Sequence, residues 1–155
     1  MTNNSLLTRV AEVYGWLESQ IRQNSDLAGV CEACGRCCDF ENFDHRLFIT
    51  TPELTYLLAK IGDKNIKPMT GSRCPYQERY KCTVYAYRFA GCRIFCCKGN
   101  RDFQSGLSEA ALEKFKLICT EFKIPYRYAD VATMLNSHLG LISVDRQRDI
   151  ADRIA

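Results

Sequence analysis

Near the start of the chain, apolar residues recur every three or four positions, at Leu6, Val10, Val13, Leu17 and Ile21, with Arg9, Glu12, Glu18 and Arg22 between them. That period gathers the apolar side chains on one stripe and predicts an amphipathic helix from about Ser5 to Asn24. Asn24, Ser25, Asp26 and Gly29 form its exit. A shorter helix is predicted after Thr51. Thr51 serves as N-cap, Pro52 suits the first helical position, and Glu53 sits near the positive helix end. Leu54, Leu57, Leu58 and Ile61 supply its apolar face, and Gly62 stops it.

Three more helices are predicted towards the C-terminus. One runs from a Ser108 cap to about Phe122, with Leu112, Phe115, Ile118, Cys119 and Phe122 on one stripe, and Ile124-Pro125 breaks it. The next runs from about Arg127 to Leu139 on Val131, Met134, Leu135 and Leu139, and ends at Gly140. A last, polar helix spans Ser143 to Arg153. From Met69 to Gly99 the periodicity fails. Aromatic, cysteine and basic residues mix there with the turn signals Gly71, Pro75, Gly91 and Gly99, which predicts loops with at most a short hairpin or helical turn. The expected fold is therefore mainly α, with helices framing an irregular cysteine-rich metal-binding centre and little or no β. No linker or repeat divides residues 1–155, so a single domain is expected, with its cysteine core at about 31–97.

Composition sharpens this picture at one point. A chain of 155 residues buries roughly 70% of its unfolded surface, enough for an ordinary apolar core without covalent staples. Apolar content of 46% and charged content of 25% argue against wholesale disorder. No apolar run approaches the ~20 residues that span a bilayer, and Met1–Ser5 lacks the character of a secretion signal. Yet ten residues are cysteine. Together these features lead to the expectation of a cytoplasmic protein that spends its cysteines on metal rather than on disulfides. Eight thiolates holding two divalent ions would lower the formal charge of +3 by about four. With no Lys/Arg run either, neither nucleic acid nor membrane is an expected partner; a protein partner is compatible with the sequence but unspecified.

Nine of the ten cysteines fall into two groups. The first is Cys31-Glu32-Ala33-Cys34-Gly35-Arg36-Cys37-Cys38; the second comprises Cys74-Pro75, Cys82, Cys92, Cys96 and Cys97. Two residues between cysteines let one tight turn aim two sulfurs at one metal, with backbone N–H groups facing them. Gly35 permits a positive φ inside that turn. Because neighbouring side chains usually diverge, Cys37 and Cys38 are expected to face different metals, or one of them none. Three cysteines spaced by two residues, with a distant Cys-Pro, suit ferredoxin-type iron–sulfur ligation. Eight cysteines in two four-sulfur zinc sites suit the same spacing.

The runs CEACGRCC and CPYQERYKCTVYAYRFAGCRIFCC resemble the CxxCxxCC (YkgJ-like) cysteine-cluster family of zinc- or iron-chelating proteins. The family pattern is CxxCGxCC, a Cys-Pro, Cys-x-x-Tyr-x-x-Arg, then Cys-Arg-x-aromatic. The resemblance covers about Cys31 to Cys97. It implies metal ligation by Cys31, Cys34, Cys37, Cys38, Cys74, Cys82, Cys92 and Cys97, with Tyr85, Arg88 and Arg93 also matching. Phe89 and Cys96 stand where many members have proline, so the eighth ligand lies between Cys96 and Cys97. Cys97 is favoured because one branch of the family ends Gly-Cys-Arg-x-aromatic-aromatic-Cys. The flagellin lysine N-methylases carry a similar cluster, which suggests iron–sulfur, but no separate substrate domain is visible here and their activity is not carried over.

Among the other residues, Arg88 and Arg93 are expected beside the anionic centre, where guanidinium groups would offset thiolate charge. Arg36, Arg73, Lys98 and Arg101 read as surface charge. Cys119 reads as an inert core residue, and Cys96 as a packing residue or a spare ligand. His45 is a weak ligand candidate and His138 a helix-end partner. Glu32, Asp39, Glu41 and Asp44 read as solvated loop charge. Tyr76, Tyr80, Tyr85, Tyr87, Phe89 and Phe95 either screen the centre from water or build the core around it. The functional expectation is a metal-binding cysteine-cluster protein, with an iron–sulfur cluster and a redox or electron-transfer role. The rival expectation is a Zn2+-stapled structural or interaction module without catalysis.

Overall fold

Helix α1 (Thr2–Gln23) turns its predicted stripe inward: Leu6, Val10, Val13, Tyr14 and Leu17 are buried. A single turn, α2 (Ser25–Ala28), then leads through Gly29, at φ 77, into the first cysteine loop. The computed structural model describes residues 2–42 and 46–140. His45 and the expected helix over 143–153 lie outside these residues.

Strand β1 (Phe48–Thr50) runs straight into α3 (Thr51–Ile61). The N-cap is Thr50, not Thr51. The Glu53 carboxylate reaches back in a capping box, accepting from the Thr50 N–H at 2.8 Å and from its hydroxyl at 2.9 Å. Strands β2 (Gln77–Glu78) and β3 (Lys81–Cys82) make the short hairpin, and α4 (Ala90–Ile94) follows.

Helix α5 (Arg101–Phe122) begins two turns before the expected Ser108 cap. Asn100 is the cap, its side-chain oxygen accepting from the Phe103 N–H at 2.9 Å. The segment 101–107 carries charge and glycine and so hid its helical period, but Leu107 is buried on the same stripe as Ala111 and Phe115.

The helix expected from Arg127 is instead strand β4 (Tyr128–Asp130) followed by a helix over residues 131–140, here α6. Two interactions displace its start. The Arg127 N–H and carbonyl bond to the Thr51 hydroxyl and N–H, which fixes this segment as an extended partner of β1. Asp130 then caps α6, accepting from the Thr133 N–H at 3.0 Å and hydroxyl at 2.6 Å. The register pairs Phe48 with Asp130 and Thr50 with Tyr128, antiparallel.

Two apolar clusters organise these elements. One joins α1, α4 and α5 through Leu17, Ile94, Ala111, Phe115 and Ile118. The other joins β1, α3 and α6 to the cysteine segment through Ile49, Leu57, Leu135, Tyr76, Val84 and Phe89, and Cys74, Cys82 and Cys92 pack against it. Burying a side chain such as Phe115 contributes roughly 1.5–3 kcal/mol, so these clusters hold the irregular segment from two sides. The fold is mainly α with two two-stranded sheets.

Candidate metal centre

The first cysteine loop is shaped by backbone conformations that few residues adopt. Gly35 has φ 75 and Ala33 φ 53. A methyl group at Gly35 would overlap the Tyr80 carbonyl oxygen, and the Gln77 side-chain amide donates to the Gly35 carbonyl. The loop therefore lies directly on the β2–β3 hairpin. The Ala33 N–H donates to the Cys31 sulfur at 3.4 Å. The Gln77 N–H closes the turn after Cys74 by donating to the Cys74 carbonyl at 3.2 Å, and burial raises the Cys74 thiol above the ordinary value. In the first loop the turn thus faces an N–H group at sulfur.

The two groups meet at a short backbone ladder. The Phe40 N–H donates to Ser72 and the Cys74 N–H to Cys38, each at 2.9 Å, and the Arg73 guanidinium meets the Asp39 carboxylate at 3.2 Å. Cys37 and Cys38 sit in the 3-10 turn Arg36–Cys38, with their thiols near enough for one to shift the other. Successive side chains around a three-residue turn are about 120° apart rather than opposed, which leaves the two thiols within reach of each other. That coupling lowers the Cys37 thiol to about 6. It also holds the Cys38 proton far above the usual range, and burial adds to the effect.

Cys74 and Cys92 act on Cys38; Cys82 and Cys37 act on Cys74; and Cys74, Cys82 and Cys37 act on Cys92, whose thiol is raised chiefly by burial. Five thiols from three segments thus stand within electrostatic reach of one another. Five thiolates in a partly buried site cannot form together without a cation among them. The donor chemistry fits a soft metal. Among the described residues, however, no three His, Cys, Asp or Glu side chains converge on one ion-sized point.

Cys31, Cys34 and Cys97 lie outside this inner group and are exposed. The Lys98–Glu32 ion pair at 2.6 Å joins the segments that carry them, and its exposure makes it weak. Cys96 is buried, with its sulfur beside Gly29, where an added Cβ would stand 3.0 Å away. Cys119 is buried on the α5 stripe.

The guanidinium of Arg93 bonds to the Glu18 carboxylate at 3.0 Å and to the carbonyls of Arg88 and Ala86. Arg88 reaches the same carboxylate at 3.5 Å and stacks on Tyr85. Both arginines therefore tie α1 to the cysteine segment. Glu32 and Asp39 are paired and Glu41 is exposed, while Asp44 falls outside the described residues. Tyr76 and Phe89 are buried behind the sulfurs, whereas Tyr80 and Tyr85 are exposed. His138 lies within α6, its Nε2 3.7 Å from Asp63.

Sequence reasoning missed Glu18, Gln77 and the deeper role of Glu53. Besides capping α3, Glu53 accepts from the Ala90 N–H at 2.7 Å, and so fastens the helix that carries Cys92. Burial raises its carboxyl above the ordinary value against these bonds. The run Thr50-Thr51-Pro52-Glu53 holds the capping-box signal that could have exposed it; nothing comparable marks Glu18 or Gln77.

No family model, curated protein or solved structure matches this chain.

Proposed function

We propose that this chain is a metal-binding cysteine-cluster protein of the CxxCxxCC type, in which an iron–sulfur cluster serves electron transfer or redox chemistry with a protein partner. The inner thiols Cys37, Cys38, Cys74, Cys82 and Cys92 supply its core ligands, and Cys31, Cys34 and Cys97 extend the donor set at the exposed rim. When bound, the cluster supplies one-electron chemistry. The observation that carries this reading is the inner group itself: five thiols from three segments near enough that ionising one opposes ionising its neighbours, beside a first loop whose Ala33 N–H faces the Cys31 sulfur.

No helix among the described residues is long and apolar enough to cross a membrane. Ten free thiols suit the reducing cytoplasm.

One observation favours zinc instead: Cys37 and Cys38 lie in one tight turn with their thiols coupled, as two ligands of a single ion would be. The deciding experiment is the content of iron, sulfide and zinc per chain after purification without oxygen. Iron with matching sulfide is expected. Zinc near two per chain without sulfide would replace the redox reading with that of a stapled scaffold.

A further inference from the structure

The β2–β3 hairpin turns on Arg79 and Tyr80, at φ 50 and 65. Two residues at positive φ make the tight turn that follows strand twist, and Asn-Gly is the pair that adopts it at least cost. An arginine and a tyrosine hold it here, and both side chains are exposed at the tip. Strain of this kind collects where a segment is used.

Tyr80 and Val30 are the two most exposed large apolar side chains among the described residues, at 66% and 74%. They bracket the first cysteine loop. Val30 precedes Cys31, and the Tyr80 carbonyl lies against Gly35, with the exposed Cys31 and Cys34 between along the chain. Three exposed cations adjoin this contact: Arg36 follows Gly35, and Arg79 and Lys81 flank Tyr80. None of the three makes an ion pair among the described residues. The acids of these segments are engaged instead, Glu32 with Lys98, Asp39 with Arg73 and Glu78 with Lys67. Glu41, past Phe40, is exposed and unpaired among the described residues, and sets one negative charge against the three.

An apolar spot rimmed by unpaired charge of one sign is the pattern of a transient protein interface. The apolar contact forms on docking and the charge steers the encounter. We infer that Val30 and Tyr80, with Arg36, Arg79 and Lys81 around them, form the docking surface for an acidic electron-transfer protein. The inference rests on the redox reading above and names the chemistry of its partner. The surface includes the loop of Cys31 and Cys34, which that reading puts at the rim of the cluster. Three free cations are few for a nucleic acid, whose binding draws on many phosphate contacts.

The test titrates a fluorescein-labelled ferredoxin, chosen for its acidic surface, with protein purified without oxygen and follows the anisotropy. Binding is expected at low salt and weakens steeply as salt rises. Arg79→Glu/Lys81→Glu is expected to bind about ten-fold more weakly, with a flattened salt dependence, while its metal content and urea midpoint match wild type. Lys116→Glu/Lys123→Glu makes the same change of net charge at the end of α5, which lends no cysteine to either group, and should bind like wild type. Tyr80→Ser, which keeps every charge, is expected to weaken binding without altering the salt slope. Binding that falls equally in the hairpin and α5 variants, or in neither, would overturn the inference. Tighter binding of a labelled oligothymidylate would overturn it too, by making the partner a nucleic acid. Iron and sulfide content separates the two levels. Docking by protein that holds no iron would support the acidic partner and overturn its electron-transfer role, whereas iron-loaded protein that does not bind would overturn the docking surface alone.

Discussion

The backbone N–H of Cys74 donates to the carbonyl oxygen of Cys38 at 2.9 Å. This bond fastens the second cysteine group to the first. Each residue carries one of the gathered thiols, so backbone pairing here sets sulfur positions directly. The relative placement of the two cysteine segments is thus partly fixed by backbone pairing.

Gly35 is where that arrangement is most sensitive. An alanine there would take a left-handed conformation, costing about 1–2 kcal/mol, and its methyl group would push on the Tyr80 carbonyl. Gly35→Ala is expected to lower the urea midpoint and to lose metal. Gly71→Ala, with no atom within 4 Å of the added methyl, should change neither.

Cys34→Ser and Cys74→Ser are each expected to lose metal, measured by elemental analysis, whereas Cys119→Ser keeps its full content. Cys119 lies on the buried α5 stripe, away from both loops. Full metal in the Cys74 variant would remove the inner group from consideration as a ligand set.

In metal-free protein, alkylation by iodoacetamide should separate Cys37 from the buried thiols. Its thiol titrates at about 6 because of its coupling to Cys38, so labelling of the pair should rise with pH through that value and be well advanced at neutrality. Mass spectrometry would locate the label. A midpoint near the ordinary thiol value, or a Cys38→Ser variant with an unchanged midpoint, would dissolve the proposed coupling.

Glu53→Gln should destabilise the protein at neutral pH by about 1–3 kcal/mol. Both carboxylate oxygens accept from donors, and one end of an amide can only donate. The variant should also change the pH profile. Burial raises the Glu53 carboxyl, so its contribution to stability is full below the ordinary carboxyl value and falls as pH rises through the folded one. Urea unfolding across that window should show this downward slope in wild type and its absence in the variant.

Much of the helical frame could be read from the chain. The α1 stripe from Leu6 to Leu17 is a strong 3.6-residue period, and its burial is a local consequence of amphipathicity. The turn at Gly35 was legible for a similar reason: its conformation is a local demand of a tight Cys-x-x-Cys loop. The start of α5 was not, because Arg101, Asp102 and Gln104 offer solvent-facing residues with little apolar period. Nor was β4, whose extended form depends on hydrogen bonds to Thr51, far away in sequence.

The sequence by itself determined the helical frame, the two cysteine groups and the kind of chemistry their spacing suits, because periodicity, turn propensity and thiol softness are properties of a few adjacent residues. Only the packed fold shows which cysteine segments lie near one another, that Arg93 turns to Glu18, and that Glu53 and Tyr14 are buried. Those outcomes depend on contacts between segments distant in the chain. Burial, which raises the Glu53, Cys74 and Cys92 groups, exists only once those segments have packed.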